Sequence, residues 1–428
     1  MKNMKLDWPW LGSKFLVILP ILVAIYAIMW GYWVLTGTGL LDRSGCQIGG
    51  DFSHYWVAAS LARTGEATAV YDVSYFKAAQ EAIFKVKTTL AWFYPPTFLL
   101  MVTPLSLLPY LVSLAVWIIV TLGAYLVVIR QLAPDPRTIW LTLAFPGTFV
   151  NFGYGQNGFI SGALLGGGLL LLDKFPVAAG VLLGLLTYKP HLAALVPLAL
   201  IAGRRWRALI AMLAAAAALM LASLLVLGRE VWLAFFQNAF LSFRALETGR
   251  ISETTILPLF KMAGVFTAVQ LAGGNLFLAA IIQGAVMLAV AVLVARVWSR
   301  GAPLALRSAV LVLGILLFTP YVFVYDLAIL ALPLAWLGWE GHTRGWSIWE
   351  KILFVLGWVT PLVAPLVAKH TQVQPAPLIL GGLLFLAWRR TLSESPSAFP
   401  ARAQKPPGVA ADLPAASVPH LLGSKEHP

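Results

Sequence analysis

Asp51 opens the stretch DFSHYWVAASLARTG, and with His54 and Tyr55 it occupies positions i, i+3 and i+4. On a helix these positions share one face, so a carboxylate, an imidazole and a phenol converge near its N-terminal end. Such groups build proton-transfer sites. A plainer role suits Asp51 equally well: it stands where a helix begins, and its carboxylate can accept from the first backbone N–H groups as a cap. On spacing alone both readings stand.

Lys189 interrupts the apolar stretch GVLLGLLTYKPHLAALVPLAL, with Pro190 marking a helix boundary and His191 beyond it. A lysine near the bilayer centre costs about 2.5–3.5 kcal/mol on insertion scales, so such residues face a cavity or carry function. Lys189 is therefore either a phosphate ligand or a lysine whose ammonium snorkels to the interface. The segment Gly153-Tyr154-Gly155-Gln156-Asn157-Gly158 has the outline of a GxGxxG dinucleotide fingerprint. That fingerprint works only between a strand and a helix, whereas here it joins two apolar helices. Gln156 and Asn157 remain as donors and acceptors at a cavity mouth. Finally, TPYVFVYD at 319–326 breaks another apolar run and brings Tyr325 and Asp326 to the membrane edge. A bland reading of Asp326 is an ion pair with a loop arginine or a cap on the next helix.

The elements that position these groups belong to a membrane. Of 428 residues, 60% are hydrophobic and only 11% charged, against roughly a quarter charged in soluble domains. Apolar runs near 15–35, 111–129, 139–152, 158–172, 176–188, 190–202, 208–227, 276–297, 307–321, 326–339, 351–368 and 376–388 predict an all-α polytopic bundle of about 12 transmembrane helices. Several of these runs are too short to cross as straight helices unless they extend, tilt or break inside the protein; residues 94–110 read as re-entrant. The net charge of +13 comes mainly from short loops between apolar runs, the positive-inside pattern, so it points to membrane orientation and not to nucleic acid. Both termini are expected in the cytoplasm, and the first run, ending in Trp30, Tyr32 and Trp33, reads as an anchor and not a signal peptide. A lone cysteine, Cys46, excludes an intramolecular disulfide, and no Cys/His cluster offers a zinc site. No cofactor is expected and no residue is assigned to a metal, although a lone carboxylate can act with or without a divalent cation.

The transmembrane domain is placed at 1–390, with a first outer loop at 37–93, a second at 228–255, and a disordered cytoplasmic tail at 391–428 that is rich in Pro, Ala and Ser. In the first loop, Val73, Phe76, Ala79, Ile83 and Val86 recur at helical spacing and predict an amphipathic interfacial helix. Gly162/Gly166 and Gly180/Gly184 read as helix-packing surfaces.

Three segments, GGDFSHYWVAASLARTGEATAVYD, FYPPTFLLMVTPLSLLPY and the long run from GYGQNG to RRWRAL, together resemble glycosyltransferase family 87. That family includes mannosyltransferases that use polyprenyl-phosphate mannose. The resemblance spans roughly 15–340 and implies a GT-C fold, with an active site on the non-cytoplasmic face and a catalytic aspartate in the first outer loop. By its DFxxYW context Asp51 takes that position, as the base acting on an acceptor hydroxyl. The resemblance further implies a polyprenyl-phosphate sugar as donor, a lipid or glycan as acceptor, Lys189, Arg244 and Arg250 at the donor phosphate, and a cell-membrane enzyme facing the periplasm or exterior. Around them His54, Tyr55, Tyr94, Gln156, Asn157, His191, Tyr325 and Asp326 are the substrate-binding candidates. Family members often carry histidine in the segment that here reads TPYVFVYD, so the acceptor or local proton chemistry is expected to differ. One carboxylate fits an inverting displacement; a retaining route needs a second about 5 Å away, for which Asp72 and Asp326 are candidates. A transporter or lipid flippase is the alternative, although the chain shows none of the paired related halves common in transporters.

Overall fold

The computed structural model describes residues 13–86, 91–248 and 258–392. Every named element is helical and no strand occurs among the described residues. Five helices are long and apolar enough to cross a membrane: Val17–Leu35, Tyr110–Leu132, Trp206–Leu227, Leu276–Ser299 and Ile348–Thr371. These five are fewer than the about 12 transmembrane helices expected, and most of the remaining apolar runs form shorter helices. Pro96–Leu107, Gly158–Leu171, Pro176–Tyr188, Pro190–Ala202 and Leu304–Phe318 are apolar but shorter. At about 1.5 Å per residue they fall short of a hydrocarbon layer about 30 Å thick.

Proline explains much of the shortening, because it lacks an N–H and forces the residue before it out of the helical region. The run at 139–152 becomes two helices, Arg137–Leu143 and Pro146–Tyr154, with Phe145 extended at φ −63° and ψ 125° between them. Pro190 does the same to Lys189, which sits at φ −124° and ψ 78° between the 3-10 turn Leu186–Tyr188 and the helical turn Pro190–Ala193. The break thus lifts the lysine out of a regular helix and lets its side chain turn inward.

Small residues let the broken helices approach closely. A Cβ on Gly180 would lie 2.6 Å from Ala211 Cβ, and one on Gly184 would lie 2.5 Å from the Met212 carbonyl oxygen and 2.7 Å from Ala215 Cβ, so helix Pro176–Leu185 packs backbone to backbone on Trp206–Leu227. Gly162 and Gly166 face Tyr125, Val128 and Leu332 in the same way. Overpacking of this kind costs about 1–3 kcal/mol. Gly184→Val is therefore expected to lower the detergent melting temperature clearly, while Gly31→Ala, whose added carbon meets nothing within 4 Å, leaves it unchanged.

Between the first two long helices lie helix Phe52–Arg63, the 3-10 turn Ala67–Tyr71 and helix Val73–Phe84. The last buries Phe76, Gln80 and Phe84 and leaves Ile83 exposed, a rotation from the expected face. Lys85 turns left-handed at φ 60° and ends the helix, so Val86 is out of its register. Asp72 caps this helix, accepting from Ser74 N at 2.9 Å and Tyr75 N at 3.0 Å; it is absent from the cavity that Asp51 lines.

Candidate functional site

A cavity of about 310 Å³ collects residues from six separated stretches: Asp51 and His54, Ala91–Pro95, Tyr154 and Gln156, Tyr188–His191, Pro258 and Lys261, and Tyr321–Asp326. Glycines make the convergence possible. Gly49 and Gly50, at φ 83° and 49°, turn the chain into Asp51. Gly155, at φ 57°, ends helix Pro146–Tyr154, and a Cβ there would stand 2.6 Å from the Gly49 carbonyl oxygen and 2.7 Å from Phe52 Cβ. A side chain on Gly158 would meet the Tyr325 carbonyl at 2.7 Å. The fingerprint-like glycines thus bring the Asp51 and Tyr325 loops against one another.

Asp51 does not cap its helix: the carboxylate makes no capping bond. Its Oδ2 instead accepts from Gln156 Nε2 at 2.7 Å. The orientation of that amide is fixed by chemistry, because the backbone N–H of Asn157 can only donate, and it donates to Gln156 Oε1 at 3.1 Å. Tyr55 and Tyr94 donate to the same oxygen, Tyr94 at 3.2 Å. Tyr94 is held in turn by Tyr71, whose hydroxyl donates to its carbonyl at 2.9 Å. Asn151, unremarked in the sequence, locks the loop by donating to the Gln156 carbonyl at 3.1 Å and accepting from Gly158 N at 2.9 Å.

Burial raises the pKa of Asp51 from its ordinary 3.8 to about 6, against the lowering effects of the Gln156 hydrogen bond and of Lys261 and Lys189, and with a small further push from Asp326. A base with a pKa near working pH combines a large ionised fraction with useful basicity. Burial holds His54 neutral, with its pKa lowered to about 3; its Nδ1 meets the Asp51 carbonyl at 2.5 Å. Both His54 and His191 line the cavity, and neither Nε2 has a hydrogen-bond partner among the described residues.

Lys189 and Asp326 are 3% and 1% exposed and form a direct ion pair. The lysine therefore does not snorkel, and Asp326 pairs with it instead of with a loop arginine. Asn157 Oδ1 accepts from Lys189 Nζ at 2.8 Å, and Asp326 Oδ2 accepts from Phe323 N at 3.1 Å. Lys189 also lies 5.5 Å from the Tyr325 ring centroid. Asn157 and Tyr55 lie behind the lining, supporting Lys189 and Gln156.

Arg250 and the side chain of Arg244 lie outside the described residues, as does the tail beyond Leu392. A cation absent from the sequence expectations is Lys261, on a 3-10 turn after the second outer loop. It lines the cavity with its Nζ 5.0 Å from the Tyr154 ring centroid, and it forms no ion pair among the described residues. Among the described lining residues, with Lys189 paired to Asp326, Lys261 is the cation available to an incoming anion and Asp51 the carboxylate available to an incoming hydroxyl. No group of three His, Cys, Asp or Glu side chains among the described residues could hold a metal ion.

If Asp51 acts as a base, activity rises as it loses its proton. Wild-type kcat/KM is expected to climb tenfold per pH unit below about 6 and to level above it, a limb to be measured from pH 4.5 to 8.

No curated protein and no solved structure matches the chain. Residues 92–320, more than half its length, match glycosyltransferase family 87. That stretch contributes Tyr94, Gln156, Lys189, His191 and Lys261, while Asp51 and Asp326 flank it and meet these residues in one cavity. On this match, and with apolar helices suited to a membrane, the chain belongs to glycosyltransferase family 87.

Proposed function

We propose that this membrane glycosyltransferase moves a hexose or pentose, mannose-like, from a polyprenyl-phosphate sugar to a lipid or glycan acceptor on the non-cytoplasmic face, with inversion at the anomeric carbon. The observation that carries this reading is that Asp51 and Lys261, neither of which forms a salt bridge among the described residues, line the same cavity. The acceptor oxygen attacks the anomeric carbon as its proton passes to Asp51. The bond from that carbon to the phosphate oxygen breaks, and the polyprenyl phosphate leaves with the electron pair. Lys261, in the same cavity as the Lys189–Asp326 pair, holds the donor phosphate from binding through its departure, so its charge contributes to donor affinity as much as to the transition state.

A single general base suits inversion, because a retaining route asks for a second carboxylate as nucleophile. Asp72 is spent on its helix and Asp326 on Lys189. His54, His191 and Tyr325 line the space a sugar would fill and offer partners for its hydroxyls. An outward site has no access to nucleotide sugars, and the termini lie in the cytoplasm of a cell membrane, in a bundle of the GT-C kind. The test offers purified protein a panel of short-chain polyprenyl-phosphate sugars and nucleotide sugars with a membrane-lipid extract. Consumption of one polyprenyl-phosphate sugar supports the reading, and consumption of a nucleotide sugar refutes it.

A further inference from the structure

The turn that carries Lys261 is gripped from two sides. On one side it runs along the TPYVFVYD segment: Val324 N donates to the Lys261 carbonyl at 2.9 Å and Ala263 N donates to the Val322 carbonyl at 2.7 Å. On the other side stands Gln374, in the connection between helices Ile348–Thr371 and Ala376–Leu392. Its Nε2 donates to the Met262 carbonyl at 2.8 Å and to the Phe260 carbonyl at 3.3 Å, the two peptide groups flanking Lys261. Gln374 is buried, its Oε1 accepts from Ala376 N at 3.3 Å, and Lys369 of the same hairpin lies 5.9 Å from the Phe260 ring centroid. The family match ends at residue 320, so this grip comes from beyond it.

We infer that Gln374 is a positioning residue for the donor phosphate: by clamping the carbonyls on either side of Lys261 it fixes where that ammonium stands over Tyr154. The inference rests on the proposed role of Lys261. A lysine side chain is long and flexible, with three rotatable donors and no preferred fork, so its anchor at the backbone decides how well its charge is aimed. Gln374 does not line the cavity and acts only through the turn. A purely structural glutamine would instead lower stability and leave the donor's interactions as they are.

The experiment is a double-mutant cycle in the full-length protein. Gln374→Met keeps the length of the side chain and removes the donor. Its donor KM is expected to rise about fivefold, near the factor one ordinary hydrogen bond is worth, with kcat within about twofold and the acid limb unmoved because Asp51 is untouched. Lys261→Met raises donor KM further, and the double variant is expected to be no worse than Lys261→Met alone, because removing the lysine removes what Gln374 aims. Gln374→Asn, which keeps the amide, is measured alongside so that the cycle survives if the methionine variant folds poorly; its donor KM also rises, by less. Multiplying effects in the double variant, or a donor KM unchanged in both Gln374 variants while Lys261→Met raises it, overturns this inference alone. A donor KM unchanged by Lys261→Met overturns the reading of the site itself.

Discussion

Asp51→Asn is expected to lower kcat by about 10²–10⁴-fold, the range in which a positioned general base contributes, while donor binding stays close to wild type. The variant keeps the shape of the side chain and an oxygen to accept from Gln156 Nε2, so the hydrogen bond at 2.7 Å has a counterpart. Stability provides an independent sign. The unfolded carboxyl ionises near its ordinary 3.8 and the folded one near 6. Between these values the native state holds a proton that the unfolded state has lost, so stability falls as pH rises through this window and remains lowered at pH 7. Asparagine has no charge to bury, so at pH 7 the variant is expected to melt at the same temperature as wild type or higher. Lost turnover with unreduced melting marks a catalytic residue; lost turnover with a large drop in melting marks a structural one.

The second large effect concerns the Lys189–Asp326 pair. Removing one member of a buried ion pair leaves an uncompensated charge and costs about 3–5 kcal/mol. Lys189→Met strands Asp326, with only Phe323 N–H at 3.1 Å among the described residues to answer its carboxylate, and it is expected to lower melting far more than any exposed Lys or Arg replacement. Adding Asp326→Leu removes the stranded charge and restores most of the loss, because a pair replaced by apolar groups is often neutral or stabilising. Thermal unfolding in detergent of the two single variants and the double variant checks this. A folded, stable Lys189→Met protein contradicts a buried pair. If the double variant folds well but binds polyprenyl phosphate weakly, Lys189 serves the donor as well as the fold.

Local chemistry was legible wherever it followed local spacing. His54 and Tyr55 do lie on one short helix, with Asp51 immediately before it, and Lys189 stood out because a charge beside a proline inside an apolar run needs a reason. What spacing leaves open is the partner. Lys189 and Asp326 are 137 residues apart, and Asp51 and Gln156 are 105 apart; either carboxylate reads equally well as a helix cap until the fold brings the other chain segment in. Lys261 carried no signal of that kind, since a single lysine after a polar loop looks like a boundary residue. Gln374 had none at all, because its partners are backbone carbonyls. Span number is less legible, because apolar runs report burial from water and not length, while the prolines at 146, 176 and 190 mark where the short apolar helices begin. In helix Val73–Phe84 the buried row is Phe76, Gln80 and Phe84 at i, i+4 and i+8, which the apolar residues picked out by spacing share only at Phe76.

The most direct measurement of the central claim is the anomeric configuration of the product formed by the purified protein from the polyprenyl-phosphate sugar it consumes, read by NMR. One base and a direct displacement predict a configuration opposite to that of the donor. A retained configuration, or no transfer by folded protein that binds the donor, contradicts Asp51 as the general base of an inverting transfer.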